Sequence, residues 1–124
     1  MALNDLTHTV MTTSLSALDA RQKVLANNVA NVNTPGFKRS EMEFEGALSA
    51  AISSAERGRI GALRGFRPAP VVDATSTMRS DGNNVDIDVE MARLSENQVR
   101  YNTMVEILSK RMKMLRHVVT DGRG

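Results

Sequence analysis

From Ile87 to Val119 the chain places one residue after another at alternating steps of four and three: Ile87, Met91, Leu94, Gln98, Tyr101, Val105, Leu108, Met112, Leu115 and Val119. Nine of these ten are apolar or aromatic, and Gln98 is the exception. A strand alternates faces every second residue and would scatter such a set over both sides. Only an α-helix of heptad type keeps it in a single stripe. Asp86 is placed to cap the helix, and Asp88 and Glu90 put negative charge in its first turn. Lys110, Arg111, Lys113 and Arg116 put positive charge towards its end, so both ends are expected to suit the helix macrodipole. The pattern predicts a helix of about 33 residues, about 50 Å long.

A second stripe lies near the N-terminus. Met11, Leu15, Leu18, Gln22, Leu25, Val29 and Val32 follow the same spacing, again with one glutamine. Leu3, Leu6 and Val10 continue an apolar face out of that register. This helix suits either one arm of an intramolecular hairpin or a coiled coil between chains. An antiparallel hairpin that sets Gln22 opposite Gln98 also sets Leu25 against Leu94, Val29 against Met91 and Leu18 against Tyr101. The two amides then satisfy one another, where a buried unpaired one costs about 1–3 kcal/mol. The expected architecture is all-α dominated. It comprises an N-terminal helix over 1–33, an irregular central region over 34–84 with a possible short β-hairpin, and a C-terminal helix and tail over 85–124, forming one structural unit.

The central region has no sustained period. Thr34-Pro35-Gly36-Phe37 reads as a turn, since proline cannot continue a helix. Glu41, Glu43 and Glu45 alternate with Met42 and Phe44, a weak strand signal, and 46–55 suits a short helix. Residues 57–67, with four arginines and three glycines, read as a flexible solvated loop, or as a positive surface for an acidic partner. Asp81-Gly82 signals a tight turn.

Composition narrows the function classes. Aromatic residues make up 3% and there is no Trp, which favours helix–helix packing over a sandwich or barrel. The absence of cysteine removes disulfides and thiolate metal sites. A formal charge of +2, from 16 basic and 14 acidic residues, gives no case for nucleic acid as a partner. No apolar run approaches the ~20 residues of a membrane span, and the N-terminus does not read as a cleavable signal peptide. His8 and His117 have no carboxylate or thiol companions for a metal. Asp81 to Asp86 fails the EF-hand pattern, because with Asp81 first the glycine, Gly82, falls at loop position two and Val85 stands where an oxygen ligand belongs. Ser14, Ser16 and Ser109 lack a base, and there is no phosphate-cradling glycine loop. No enzyme activity, cofactor, metal or small-molecule substrate is expected.

Four asparagines, Asn27, Asn28, Asn31 and Asn33, crowd the end of the first stripe. Their amides compete with helix formation, so their density needs a reason other than propensity. Asn27, Asn28 and Asn31 lie off the seam, placed to bond either a neighbouring chain or the returning loop. The stretch Asn27, Asn28, Val29, Ala30, Asn31, Thr34, Pro35, Gly36 and Phe37 is the expected joint between subunits.

Leu25 to Lys38 (LANNVANVNTPGFK) resembles the N-terminal signature of the bacterial flagellar axial proteins of rod and hook. Met78 to Met91 (MRSDGNNVDIDVEM), followed by Leu94, Glu96-Asn97 and Arg100-Tyr101, narrows the resemblance to the short proximal rod proteins. The resemblance implies a structural subunit that is exported by the flagellar type III apparatus without a cleaved signal. Such subunits polymerise in the periplasm into a hollow helical shaft that transmits torque and conducts later subunits. The implied partners are further copies, other rod proteins, a basal-body adaptor protein and the MS ring, and the export apparatus. Early subunits of the family carry an export-gate pattern of Phe, three residues and an apolar residue, which Phe44 and Leu48 fit. The alternative reading is a cytoplasmic coiled-coil binding module or export chaperone. A single seam offsets little of the ordering entropy, about 1–2 kcal/mol per residue, so the isolated subunit is expected to order its ends only on assembly.

Overall fold

A computed structural model describes residues 3–76 and 79–121. Helix α1 spans Leu3–Ala30, strand β1 Ser40–Glu41, helix α2 Glu45–Glu56, helix α3 Gly61–Arg64, strand β2 Val71–Val72 and helix α4 Ile87–Asp121. The terminal helices form an antiparallel hairpin. Asn97 of α4 reaches Leu18 and Gln22 of α1, while Glu90 reaches Asn28. The expected register holds at its marker, where Gln22 Nε2 donates to Gln98 Oε1 at 3.1 Å.

Helix α1 is the central element, touched by α4 and also by α2, α3 and β1. Ala17 and Leu18 on α1 meet Met42, Phe44, Leu48, Ala51, Ala55 and Leu63 in the main core. The alternation over 41–45 is real but forms little strand. Met42 and Phe44 turn inward, Glu43 and Glu45 turn out, and only Ser40–Glu41 pairs, with Val71–Val72. The short helix expected over 46–55 is α2.

Three local expectations are corrected. The two-stranded sheet joins β1 to β2 rather than forming a hairpin at Asp81-Gly82, where the chain makes a tight turn with Gly82 at φ 85°. The side chains of Asn83 and Asn84 bind other segments there, which prevents pairing with a return strand. The arginine-rich 57–67 segment is anchored: Leu63 is fully buried, with Ile60 and Phe66 packed on the core, while the arginines stay exposed. Helix α4 runs on to Asp121, so its last turn holds no basic residue and the Lys110–Arg116 cluster stands inside the helix rather than at its end. The expected flexible tail at Gly122 and Gly124 lies outside the described residues.

A compact protein of 13.6 kDa exposes about 6,600 Å², whereas this chain exposes 8067 Å². Large apolar side chains contribute to it. Met112, Met114, Val118 and Val119 are each more than half exposed, on the part of α4 beyond the core. No described helix is long and apolar enough to cross a membrane.

Candidate assembly site

The Asn-rich end of α1, the Thr34–Phe37 turn, the Arg79–Asn84 turn and the start of α4 converge on one polar network. Each bond follows from a backbone group that a helix end or turn leaves without a partner. Helix α1 stops at Ala30, and Asn83, fully buried, caps it. Its Nδ2 lies 2.9, 3.2 and 2.8 Å from the carbonyls of Asn31, Val32 and Thr34. Its Oδ1 accepts from Val85 N at 2.8 Å and from Arg79 at 3.1 Å. Gly36 (φ 74°) makes the turn that proline begins, and its N–H donates to Asp81 O at 2.9 Å. Lys38 Nζ binds Gly82 O at 2.5 Å. The two turns are thus latched together.

Asn28, also fully buried, bonds the returning loop. Its Oδ1 accepts from Ser40 N at 3.0 Å, and its Nδ2 donates to Ser40 O at 2.8 Å and to Glu90 Oε2 at 3.2 Å. Its amide therefore imitates a strand partner for Ser40 and at the same time holds the first turns of α4. Asn84 does the same on the other side, accepting from Arg39 N at 2.7 Å and donating to Asp73 O at 2.7 Å. Of the two alternatives for Asn28, the fold uses the returning loop. Asn31 caps locally through Asn27 and Thr34.

The network carries a buried ion pair. Arg39 Nε donates to Glu90 Oε1, and Arg39 Nη1 donates to Glu41 Oε1 at 2.5 Å. Burial by itself would lower the Arg39 pKa, but the bonds and charges of Glu90 and Glu41 outweigh it and raise the pKa above its ordinary value. The guanidinium therefore stays charged. A second cluster joins α1 to the start of α2, where Arg21 Nη2 meets Glu45 Oε1 at 2.5 Å and Arg21 stacks 4.1 Å over the Phe44 ring. Burial pushes the Glu45 carboxyl up, but Arg21 and the backbone donors of Phe44 and Glu45 hold it below the usual carboxylate range.

The intrachain contact line and the heptad stripe do not coincide. Along α4 the residues facing α1 are Glu90, Leu94, Asn97, Tyr101, Met104 and Leu108, a 4–3 series one position behind the stripe at alternate members. Leu94, Tyr101 and Leu108 belong to both, whereas Ile87, Met91, Gln98, Val105, Met112 and Leu115 are exposed. On α1, Leu18 and Leu25 are buried, and Leu15, Gln22 and Val29 are half-buried. The physical reason is that α1 serves two partners, so its buried line runs between α4 and the α2–α3 layer. Asn97 seals the shifted contact, donating to Leu18 O at 2.9 Å and Gln22 Oε1 at 2.8 Å. Phe44 and Leu48, the candidate export-gate residues, are buried in the core. Asn27, Ala30, Thr34, Pro35 and Gly36 are exposed, and Phe37 is half-buried.

Among the described residues no group of three or more acidic, His or Cys side chains is placed to hold a metal. The sequence reading missed Glu90, Asn97 and Arg39. Their burial depends on partners distant in sequence, and a polar residue inside an apolar heptad gives no local sign of facing inward.

The model of the flagella basal body rod protein family matches residues 10–38. The flagellar basal body rod protein FlgB of Borrelia hermsii is 36% identical over 120 residues, covering 85% of this chain and 89% of that protein. FlgB of Bacillus subtilis is 32% identical over 121 residues, covering 89% and 90%. The chain belongs to the FlgB family of flagellar basal body rod proteins. FlgB of Escherichia coli is a more distant relative, 26% identical over 119 residues. The role is structural, in the basal-body rod, and membership implies assembly with other rod and basal-body proteins. The relatives are named as rod proteins, in line with a non-catalytic role.

Proposed function

We propose that this chain is a subunit of the proximal rod, polymerising in the periplasm into a hollow helical shaft that transmits torque and conducts exported subunits. The observation that carries the reading is the unsatisfied side of α4. Exposed Val105, Met112, Leu115 and Val119 continue the heptad stripe, and the 8067 Å² surface exceeds that of a compact chain. Exposed apolar stripes of this length mark contacts with other chains. Repeated heterologous contacts of one chain with the next build a helical array. The segments 1–33, 34–84 and 85–124 act in this reading as one assembling unit.

Further copies, other rod proteins, the adaptor protein and the MS ring are the neighbours. Export proceeds through the flagellar type III apparatus. Phe44 and Leu48 are readable by an export gate only while the chain is unfolded, since folding buries both. Within the joint, Asn28 works inside the subunit, so the exposed Asn27, Ala30, Thr34 and Pro35 carry its outward contacts. Deleting the gene tests the reading. Basal bodies with rings but no rod, restored by the wild-type chain, support it; normal filaments without the gene refute it.

A further inference from the structure

At the start of helix α4 and in its second half stand two clusters of charged side chains that form no ion pair among the described residues. Asp81 and Asp88 are exposed and Asp86 half-exposed; Asp86 caps the helix through Asp88 N and Asp81 accepts from Asn83 N, but among the described residues none of the three carboxylates forms an ion pair. The neighbouring cations, Lys38 and Arg79, turn inward onto Gly82 O and onto Asn83 Oδ1 and Val85 O. Further along, Lys110, Lys113 and Arg116 are exposed and, among the described residues, also without an ion pair. The macrodipole does not account for them, because its influence is confined to the last turn and that turn holds no basic residue. Asp88 and Lys113 stand about 37 Å apart along the helix axis. Screening acts over about 8–10 Å, so the clusters do not neutralise one another within a chain.

Both ends also carry exposed apolar side chains. Ile87, Val89 and Met91 are 39–45% exposed beside the acids, and Met114 and Val118 are 69% and 68% exposed beside the bases. We infer that two copies of this chain meet end to end, the basic, apolar second half of α4 in one docking on the acidic, apolar start of α4 in the next. Opposite charge sets the direction of the contact, and the apolar side chains supply its buried area. The acidic cluster differs from the basic one, so the contact is heterologous and propagates instead of closing as a symmetric dimer. This inference rests on the rod reading and specifies one of its contact surfaces.

The test uses the full-length chain with D88K, with K113E/R116E, and with all three changes combined, each first checked for unchanged helix content by circular dichroism. Sedimentation velocity of the purified chains and complementation of the deletion strain are the two readouts. Wild-type self-association should weaken as sodium chloride rises from about 0.05 to about 0.5 M. Each single-end variant should associate about tenfold more weakly than wild type, and the combined variant, with both signs reversed, should recover. The same order should hold for rod growth in cells. Single-end variants that associate and complement like wild type overturn the inference while leaving the rod reading intact. So does a combined variant no better than either parent, which would place a different protein on one of the ends. Flagella that form without the gene would instead refute the rod reading itself.

Discussion

Asn28→Ala measures how far the latch holds the subunit together. The side chain is fully buried and makes two bonds to the Ser40 backbone and one to the Glu90 carboxylate. A neutral bond contributes about 1 kcal/mol and one to a charged group about 1.5–3 kcal/mol. Allowing for non-additivity within one network, the loss is about 3 kcal/mol, or over a hundredfold in the folded-to-unfolded ratio. With a urea slope of about 1.5 kcal/mol/M, the unfolding midpoint of the full chain, followed by circular dichroism at 222 nm, should fall by about 2 M. Asn28→Asp keeps the shape but sets carboxylate oxygen against Ser40 O and Glu90 Oε2. At pH 7 it should be at least as unstable. The folded-state pKa of the new carboxyl would be raised above its unfolded value, so its contribution is favourable at acid pH and lost as pH rises through the folded pKa. Acidification should therefore narrow the gap between Asn28→Asp and Asn28→Ala. A midpoint for Asn28→Ala within about 0.3 M of wild type would refute the latch and return Asn28 to a contact between chains.

Other expectations follow from the same geometry. Ala30→Glu lies on the exposed side of the joint and should leave the isolated chain's stability within about 0.5 kcal/mol while blocking rod growth in a complementation assay; normal motility would remove Ala30 from the joint. Cysteines replacing Gln22 and Gln98 should be joined by a short bis-maleimide within one chain, and a preference of position 22 for a cysteine near 108 would show a slipped register. The depressed Glu45 carboxyl contributes stability above its unfolded pKa and loses it as pH falls through the folded pKa. The urea midpoint of wild type should thus drop more than that of Glu45→Gln on going below the usual carboxylate range; equal drops would dismiss the Arg21 pair. In the isolated chain, amides of residues 14–28 and 90–101 should exchange slowly and those of 112–120 fast, because the latter segment lies beyond the core. Uniform protection would contradict ordering on assembly.

The sequence by itself determined the elements that repeat or end by local rules. The heptad of α4, its Asp86 cap and the turns at Pro35-Gly36 and Asp81-Gly82 were legible because spacing and backbone chemistry act within a few residues. Asp86 Oδ1 does accept from Asp88 N at 3.1 Å. The matched glutamines marked the hairpin register and do bond one another, although Gln98 is exposed and its amide is not forced by burial to find a protein partner. The direction in which each helix faces was not legible. Local pattern ranks positions by apolarity, yet Glu90 and Asn97 turn inward while Met91 and Met112 turn out. That choice depends on Arg39, Asn28 and Leu18 O being present at the right height, and on α1 having to cover α2 and α3 as well as α4. A buried polar group is tolerated only where its partners already stand, and only the tertiary structure assembles those partners. The asparagines announced themselves by their density. It took the fold to show that Asn83 ties the two turns together, that Asn28 ties Ser40 to the start of α4, and that much of the apolar stripe of α4 is left outside.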